Sequence, residues 1–116
     1  MGVAEGLIQT ALLGEAVDAG PALVFVADDE MQYIAVNRRA CDVLGYTRDE
    51  LLRLRVTDVA CAGDSPSEFD EMLARGFRHG IARLTCKNGE TVELAYQARQ
   101  TNVAGLRLYI SVGFVA

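Results

Sequence analysis

The chain has 116 residues, 51% of them apolar, and a formal net charge of −5. That length suits one domain, and that composition is too apolar for a disordered chain. An acidic balance repels phosphate backbones and argues against nucleic-acid binding, and no apolar run approaches the roughly 20 residues of a membrane helix.

Met1 to Gly20 contains no Lys or Arg, so it lacks the charge signature of a secretory or transit segment. Val3, Leu7, Ile8, Ala11 and Leu12 recur at helical spacing and predict an amphipathic helix up to Val17, stopped by Gly20-Pro21. So short a helix is marginal alone and must dock on something.

Ala22–Ala27 and Met31–Val36 read as two strands joined by a turn at Asp28-Asp29-Glu30. Asn37 ends the second strand and can cap a short helix from Arg38 to Leu44, which Gly45 stops. Thr47 and Glu50 form a capping-box pair that predicts another helix start at Arg48, carrying Leu51 and Leu52.

Ala60 to Ser65 reads as loop. Ser65-Pro66-Ser67-Glu68 is a helix-start signal, and Phe69, Met72, Leu73 and Phe77 continue at helical spacing to about Arg78, where His79-Gly80 breaks the pattern. Ile81–Lys87 is a strand entering Asn88-Gly89, which predicts a type I′ hairpin with positive φ at both central residues. Val92, Leu94 and Tyr96 alternate with Glu93, Ala95 and Gln97 in the next strand. A longer loop is expected over Thr101–Gly105, and Leu106, Leu108, Ile110 and Val112 alternate in the last strand. The expectation is an α+β fold: a five-stranded antiparallel sheet, short helices on one face, and a flanking N-terminal helix.

Several segments together resemble the PAS domain family, a group of sensory and interaction modules. Tyr33-Ile34-Ala35-Val36-Asn37 is similar to its strand ending in Asn. Leu44-Gly45-Tyr46-Thr47 with Glu50-Leu51 resembles its Gly-Tyr segment, and Lys87-Asn88-Gly89-Glu90 resembles a later turn. The resemblance runs from about Ala16 to Ala116. It implies a flanking helix over residues 1–20 and a sensor core over 21–116. It also implies a homodimer and a covalently linked output domain in a cytoplasmic bacterial signalling protein, such as a histidine kinase, a cyclic-dinucleotide enzyme or a transcription regulator. The chain is accordingly expected to be an excised sensor domain.

Fold does not supply a ligand. In flavin-binding light sensors of this family a reactive cysteine stands where this chain has Val56, which disfavours a flavin photocycle. In haem-binding members the axial histidine would stand near Ala74, whereas the one histidine here is His79, so haem is disfavoured as well. Arg83, Arg99 and Arg107 alternate with apolar strand residues and are expected to face water or a partner. Cys41, Cys61 and Cys86 lack metal-ligand spacing and read as reduced thiols.

No Gly-rich phosphate loop, nucleophile elbow or paired Ser/Cys and base is present, so no catalytic or metal residues are expected. Two functions stay open: a dimerisation module without ligand, or a sensor of a small molecule or haem. A pocket between helices and sheet would be lined by Leu44, Leu52, Phe69, Met72, Leu73, Leu84, Leu94, Tyr96, Leu108 and Ile110. A dimer seam would use Val3, Leu7, Ile8, Ala11, Leu12 and an outward-facing Tyr109.

Overall fold

The computed structural model of the chain describes residues 3–61 and 77–116, with side chains from Gly6 onward. The elements in chain order are helix α1 (Val3–Asp18), strands β1 (Leu23–Ala27) and β2 (Tyr33–Val36), and short helices α2 (Arg38–Leu44), α3 (Arg48–Leu51) and α4 (Val56–Val59). Strands β3 (Phe77–Thr85), β4 (Thr91–Val103) and β5 (Leu106–Val115) follow. The five strands form one antiparallel sheet in the order β2-β1-β5-β4-β3.

Local signals set the helix boundaries. Asn37 Oδ1 accepts from Ala40 N to start α2, and Gly45 ends it at φ 79°, a left-handed conformation that favours glycine. Thr47 and Glu50 form both halves of the capping box that starts α3. Asp58 Oδ2 accepts from Arg55 N at 2.8 Å at the head of α4.

The turns depart from expectation. At Lys87-Asn88-Gly89 only Gly89 takes positive φ, at 90°. Gly89 N donates to Cys86 O and Cys86 N donates to Glu90 O, so the hairpin is a tight turn closed by a left-handed residue rather than type I′. The Asp28–Met31 turn repeats this plan with Met31 at φ 65°. There Asp28 Oδ1 accepts from Glu30 N and Gln32 N, which secures the turn without a glycine. Thr101–Gly105 is not a loop: β4 runs to Val103, and Ala104 and Gly105, at φ 51° and 80°, turn the chain into β5.

The pattern at Phe77–Gly80 also resolves differently. These residues are strand, paired with Arg99, Ala98, Gln97 and Tyr96. Helical spacing around Phe77 gives way to the β4 ladder because pairing with a distant strand overrides local periodicity. The helix start expected at Ser65, and with it Phe69, Met72 and Leu73, lies outside the described residues.

Paired residues share a face of the sheet, so the register sorts every strand residue. One rung on the helix side is Gly80–Tyr96–Gly113–Leu23, and the next is Arg78–Ala98–Ser111–Phe25. On this side Leu23, Phe25, Leu84 and Leu94 pack with Ala40, Leu44, Leu51 and Val59 of the helices into one core. The opposite face carries the rungs Ile81–Ala95–Phe114 and Phe77–Arg99–Ile110–Val26.

Hydrogen bonds among the described residues help to hold the helices over the sheet. Gln32 Nε2 donates to Leu52 O and Leu54 O, both at 2.9 Å. Lys87 N donates to Leu44 O, and Cys61 N to Arg83 O. Asn37 and Arg48 hold the remaining corner, where α1 also arrives.

Gly113 lies between Leu23 and Tyr96, and a Cβ there would stand 2.7 Å from Leu94 Cγ and 2.9 Å from Ala95 O. Gly113→Ala should therefore lower unfolding free energy by about 1–3 kcal/mol, read as an earlier urea midpoint. Nothing lies within 4 Å of a Cβ at Gly14, so Gly14→Ala should instead raise helicity in far-UV circular dichroism, favoured by about 0.5–1 kcal/mol.

Candidate functional site

The space between helices and sheet collects some of the expected pocket residues and excludes others. Leu44 and Leu94 are buried in the core with Leu84, and Leu52 and Tyr96 pack against them. Leu108 and Ile110 do not join them. They pair with Thr101 and Arg99 on the opposite face of the sheet, where both are half-buried. Tyr109 is displaced in the other sense: it was expected on the outer face, but it pairs with Ala27 and Gln100 on the helix side and is only 6% exposed.

The inversion has a steric cause. The Leu94 side chain and the Ala95 carbonyl crowd the helix side at Gly113, which leaves no room there for a larger residue and sends Val112 and Phe114 outward.

The helix side also carries a polar group that the sequence did not reveal. Arg78 Nε donates to Tyr96 Oη at 2.7 Å. The sequence pattern places Arg78 at the end of a helix, which hides its place beside Tyr96. Only the Arg78–Ala98 register places it on this face. Gly80, Ala98, Ser111 and Gly113 adjoin the pair in the same rungs. Toward β2, Tyr33 packs on Phe25 with ring centroids 5.5 Å apart. Burial, aided by the Asp58 carboxylate, pushes the Tyr33 hydroxyl far up, so it stays a neutral phenol.

His79 pairs with Gln97 on the outer face and is exposed, so the single histidine of the sequence points away from the core. Val56 begins α4, its N–H bonded to Met31 O at 2.8 Å. Burial pushes the Cys41 and Cys86 thiols up, which favours inert, protonated sulfur. Cys86 Sγ faces Val43 O at 3.6 Å, and Cys61 Sγ lies 3.2 Å from Thr85 Oγ1. Among the described residues no three His, Cys, Asp or Glu side chains gather as a metal would need.

The second surface is apolar and exposed. Leu7 is 68% exposed, and Ile8, Ala11, Leu12 and Leu13 of α1 are also open to solvent. For Val3 only the backbone, within α1, is described. The outer sheet face shows Phe77, Ile81, Val112 and Phe114, the last 54% exposed. Arg83 and Arg99 lie on this face, Arg83 within 3.5 Å of Glu93. Arg107 is exposed near the start of β5. Among the described residues, no helix is long and apolar enough to cross a membrane.

A five-stranded antiparallel sheet with short helices packed on one face and an opposite face of mixed apolar and charged residues defines an α+β module. The chain belongs to the PAS domain family, whose profile matches residues 21–112. Domains of this family are sensory and non-catalytic. No curated protein sequence matches the chain.

Its fold is similar to the PAS domain of a two-component sensor histidine kinase, at 14% identity and TM-score 0.84, over 96% of this chain and 99% of that one. It is also similar to the PAS domain of an HTR-like protein from Haloarcula marismortui. There the identity is 19% and the TM-score 0.80, over 97% of both chains. A domain of a sensory box sensor histidine kinase/response regulator from Geobacter sulfurreducens shares 21% identity at TM-score 0.75, over 97% of this chain and 99% of that one.

One link between helices and sheet is pH-sensitive. Lys87 Nζ donates to Glu50 Oε2 at 2.6 Å and Thr47 N to Glu50 Oε1 at 2.9 Å. Chiefly through the Lys87 bond, and then the Thr47 amide, the Glu50 carboxyl is held down at about 2. A depressed carboxyl stabilises the fold above its ordinary range, and that contribution is lost as pH falls. The loss should fall between pH 4.5 and about 2. Glu50→Gln should therefore flatten the acid side of a plot of urea midpoint against pH, and leave the neutral-to-alkaline slope unchanged.

Proposed function

We propose that this chain is the sensory and dimerisation domain of a bacterial, cytoplasmic signal-transduction protein. It pairs with a second copy and passes a conformational bias to a covalently linked output domain. Residues 1–20 act as the flanking helix and 21–116 as the sensor core.

The observation that carries this reading is the pair of exposed apolar surfaces on one chain. Leu7, Ile8, Leu12 and Leu13 project from a helix whose described hydrogen bonds and ion pairs to the rest of the fold are made by its last two residues, Val17 and Asp18. Phe77, Ile81, Val112 and Phe114 lie on a sheet face with no helix of the described fold packed on it. Clustered exposed apolar side chains of this kind mark an interaction site. A second copy of the chain supplies the complementary helix and sheet under two-fold symmetry. The likeness to domains of sensor histidine kinases supports a signalling context.

Sedimentation velocity should show a dimer at micromolar concentration. Leu12→Glu and Phe114→Glu should each weaken association at least about tenfold, by placing a carboxylate against apolar surface. A wild-type protein that stays monomeric, or glutamate variants that stay dimeric, would overturn this reading.

A second reading rests on the Arg78–Tyr96 pair, which sets a polar handle among small residues on the helix side of the sheet. There the domain would hold a small molecule, contacted by Leu44, Leu52, Leu84, Leu94 and Tyr96. Native mass spectrometry of the purified domain separates the two. A retained adduct of defined mass supports the sensor of a small molecule, and an apo dimer supports the interaction module. A haem adduct would need a ligand other than His79, which lies on the outer face.

A further inference from the structure

We propose that Asn37, Asp18 and Arg48 form a polar latch through which the α2–α3 layer sets the tilt of α1. The inference deepens the reading of α1 as part of a dimer surface and rests on it.

Asn37 is 4% exposed, the one buried polar side chain among the described residues. Its Oδ1 accepts from Val24 N at 3.0 Å and Ala40 N at 3.1 Å. Its Nδ2 donates to Val17 O at 2.8 Å and Ala22 O at 2.7 Å. Both donors and both acceptor sites of the carboxamide are thereby used. One side chain joins the last turn of α1, the α1–β1 connection, β1 and the head of α2.

The next residue of α1 is held from the helical layer. Arg38 N donates to Asp18 Oδ1 at 3.1 Å, and Arg48 Nη2 pairs with the same oxygen. Arg48 Nε also donates to Val36 O at 3.1 Å. Arg48 is the first residue of α3, so its position depends on the Thr47–Glu50 capping box.

Residues 6–17 of α1 are exposed. By the contacts of the described residues, the helix is therefore a lever fixed at one end. Its 16 residues span about 24 Å, so a tilt of about 10° at the latch moves the far end by ~4 Å. A small shift of α2 or α3 over the core would thus become a large shift of the dimer surface.

The test is the orientation of α1 relative to β4 and β5, read from residual dipolar couplings of backbone amides in the isotopically labelled domain. Asp18→Ala is expected to shrink or reorient the α1 couplings and leave those of β4 and β5 in place. Thr47→Ala, which loosens α3 without touching α1, is expected to do the same in the wild-type background and to add nothing in Asp18→Ala. Asn37→Asp keeps the shape but removes both donors, and should free α1 likewise. If that variant fails to fold, Asp18→Ala decides.

Unchanged α1 couplings in Asp18→Ala would overturn the latch, and so would additive effects of Thr47→Ala and Asp18→Ala. Sedimentation of the same samples keeps the two ideas apart. A monomer whose α1 responds as described refutes the dimer and supports the latch. A dimer with unresponsive α1 does the reverse.

Discussion

The carboxamide of Asn37 is the interaction on which the rest of the arrangement depends. A buried amide without partners costs several kcal/mol, whereas a fully bonded one fixes the geometry of every group it touches. Here those groups are the amides of Val24 and Ala40 and the carbonyls of Val17 and Ala22. The apolar core of Leu23, Phe25, Leu44 and Leu51 supplies attraction but little direction. Asn37 supplies the direction. It fixes where β2 stops, where α2 begins, and how the incoming helix meets both.

The part of the fold written in the sequence is the part that forms over three or four residues. Asn37 as a cap, Gly45 as a stop and the Thr47–Glu50 box all stand where the sequence puts them. Each needs only near neighbours, so the residue type announces the geometry. The sheet with helices on one face was legible too, from strand order and the short helices. What was not legible depends on strands meeting across the sheet. Phe77 and Arg78 close a run of helical spacing and become strand because β4 offers a ladder. The turn at Ala104-Gly105 lacks an Asn-Gly signature, yet β4 and β5 continue to its edges and impose positive φ on an alanine.

The β5 strand shows the same limit in the candidate site. Its alternation has period two, as the sequence pattern predicts, but period two defines two faces without saying which is inside. Leu106, Leu108, Ile110 and Val112 look like the core set because they are large and apolar. The helix side instead takes Tyr109, Ser111 and Gly113, because the Leu94 side chain and the Ala95 carbonyl already fill the space beside Gly113. So Leu108 and Ile110 leave the expected pocket, Tyr109 leaves the expected seam, and Arg78 enters beside Tyr96.

This inversion changes what the domain can do. A sheet whose outward residues were Tyr109, Ser111 and Gly113 would show water a small, partly polar surface. The observed register shows it Ile81, Val112 and Phe114, which water disfavours and another apolar surface would cover. The helix that could cover it on a partner is the one that Asn37 and Asp18 grip at a single end. The helix-side core and the outer face are therefore not independent regions. They share strands through the pleat and share α1 through the latch, so a change of packing around Leu44 or Leu51 has two physical routes to the exposed surface. The route through the sheet must bend a five-stranded ladder. The route through the latch needs only a rotation about hydrogen bonds to Val17 and Asp18, which makes it the softer of the two.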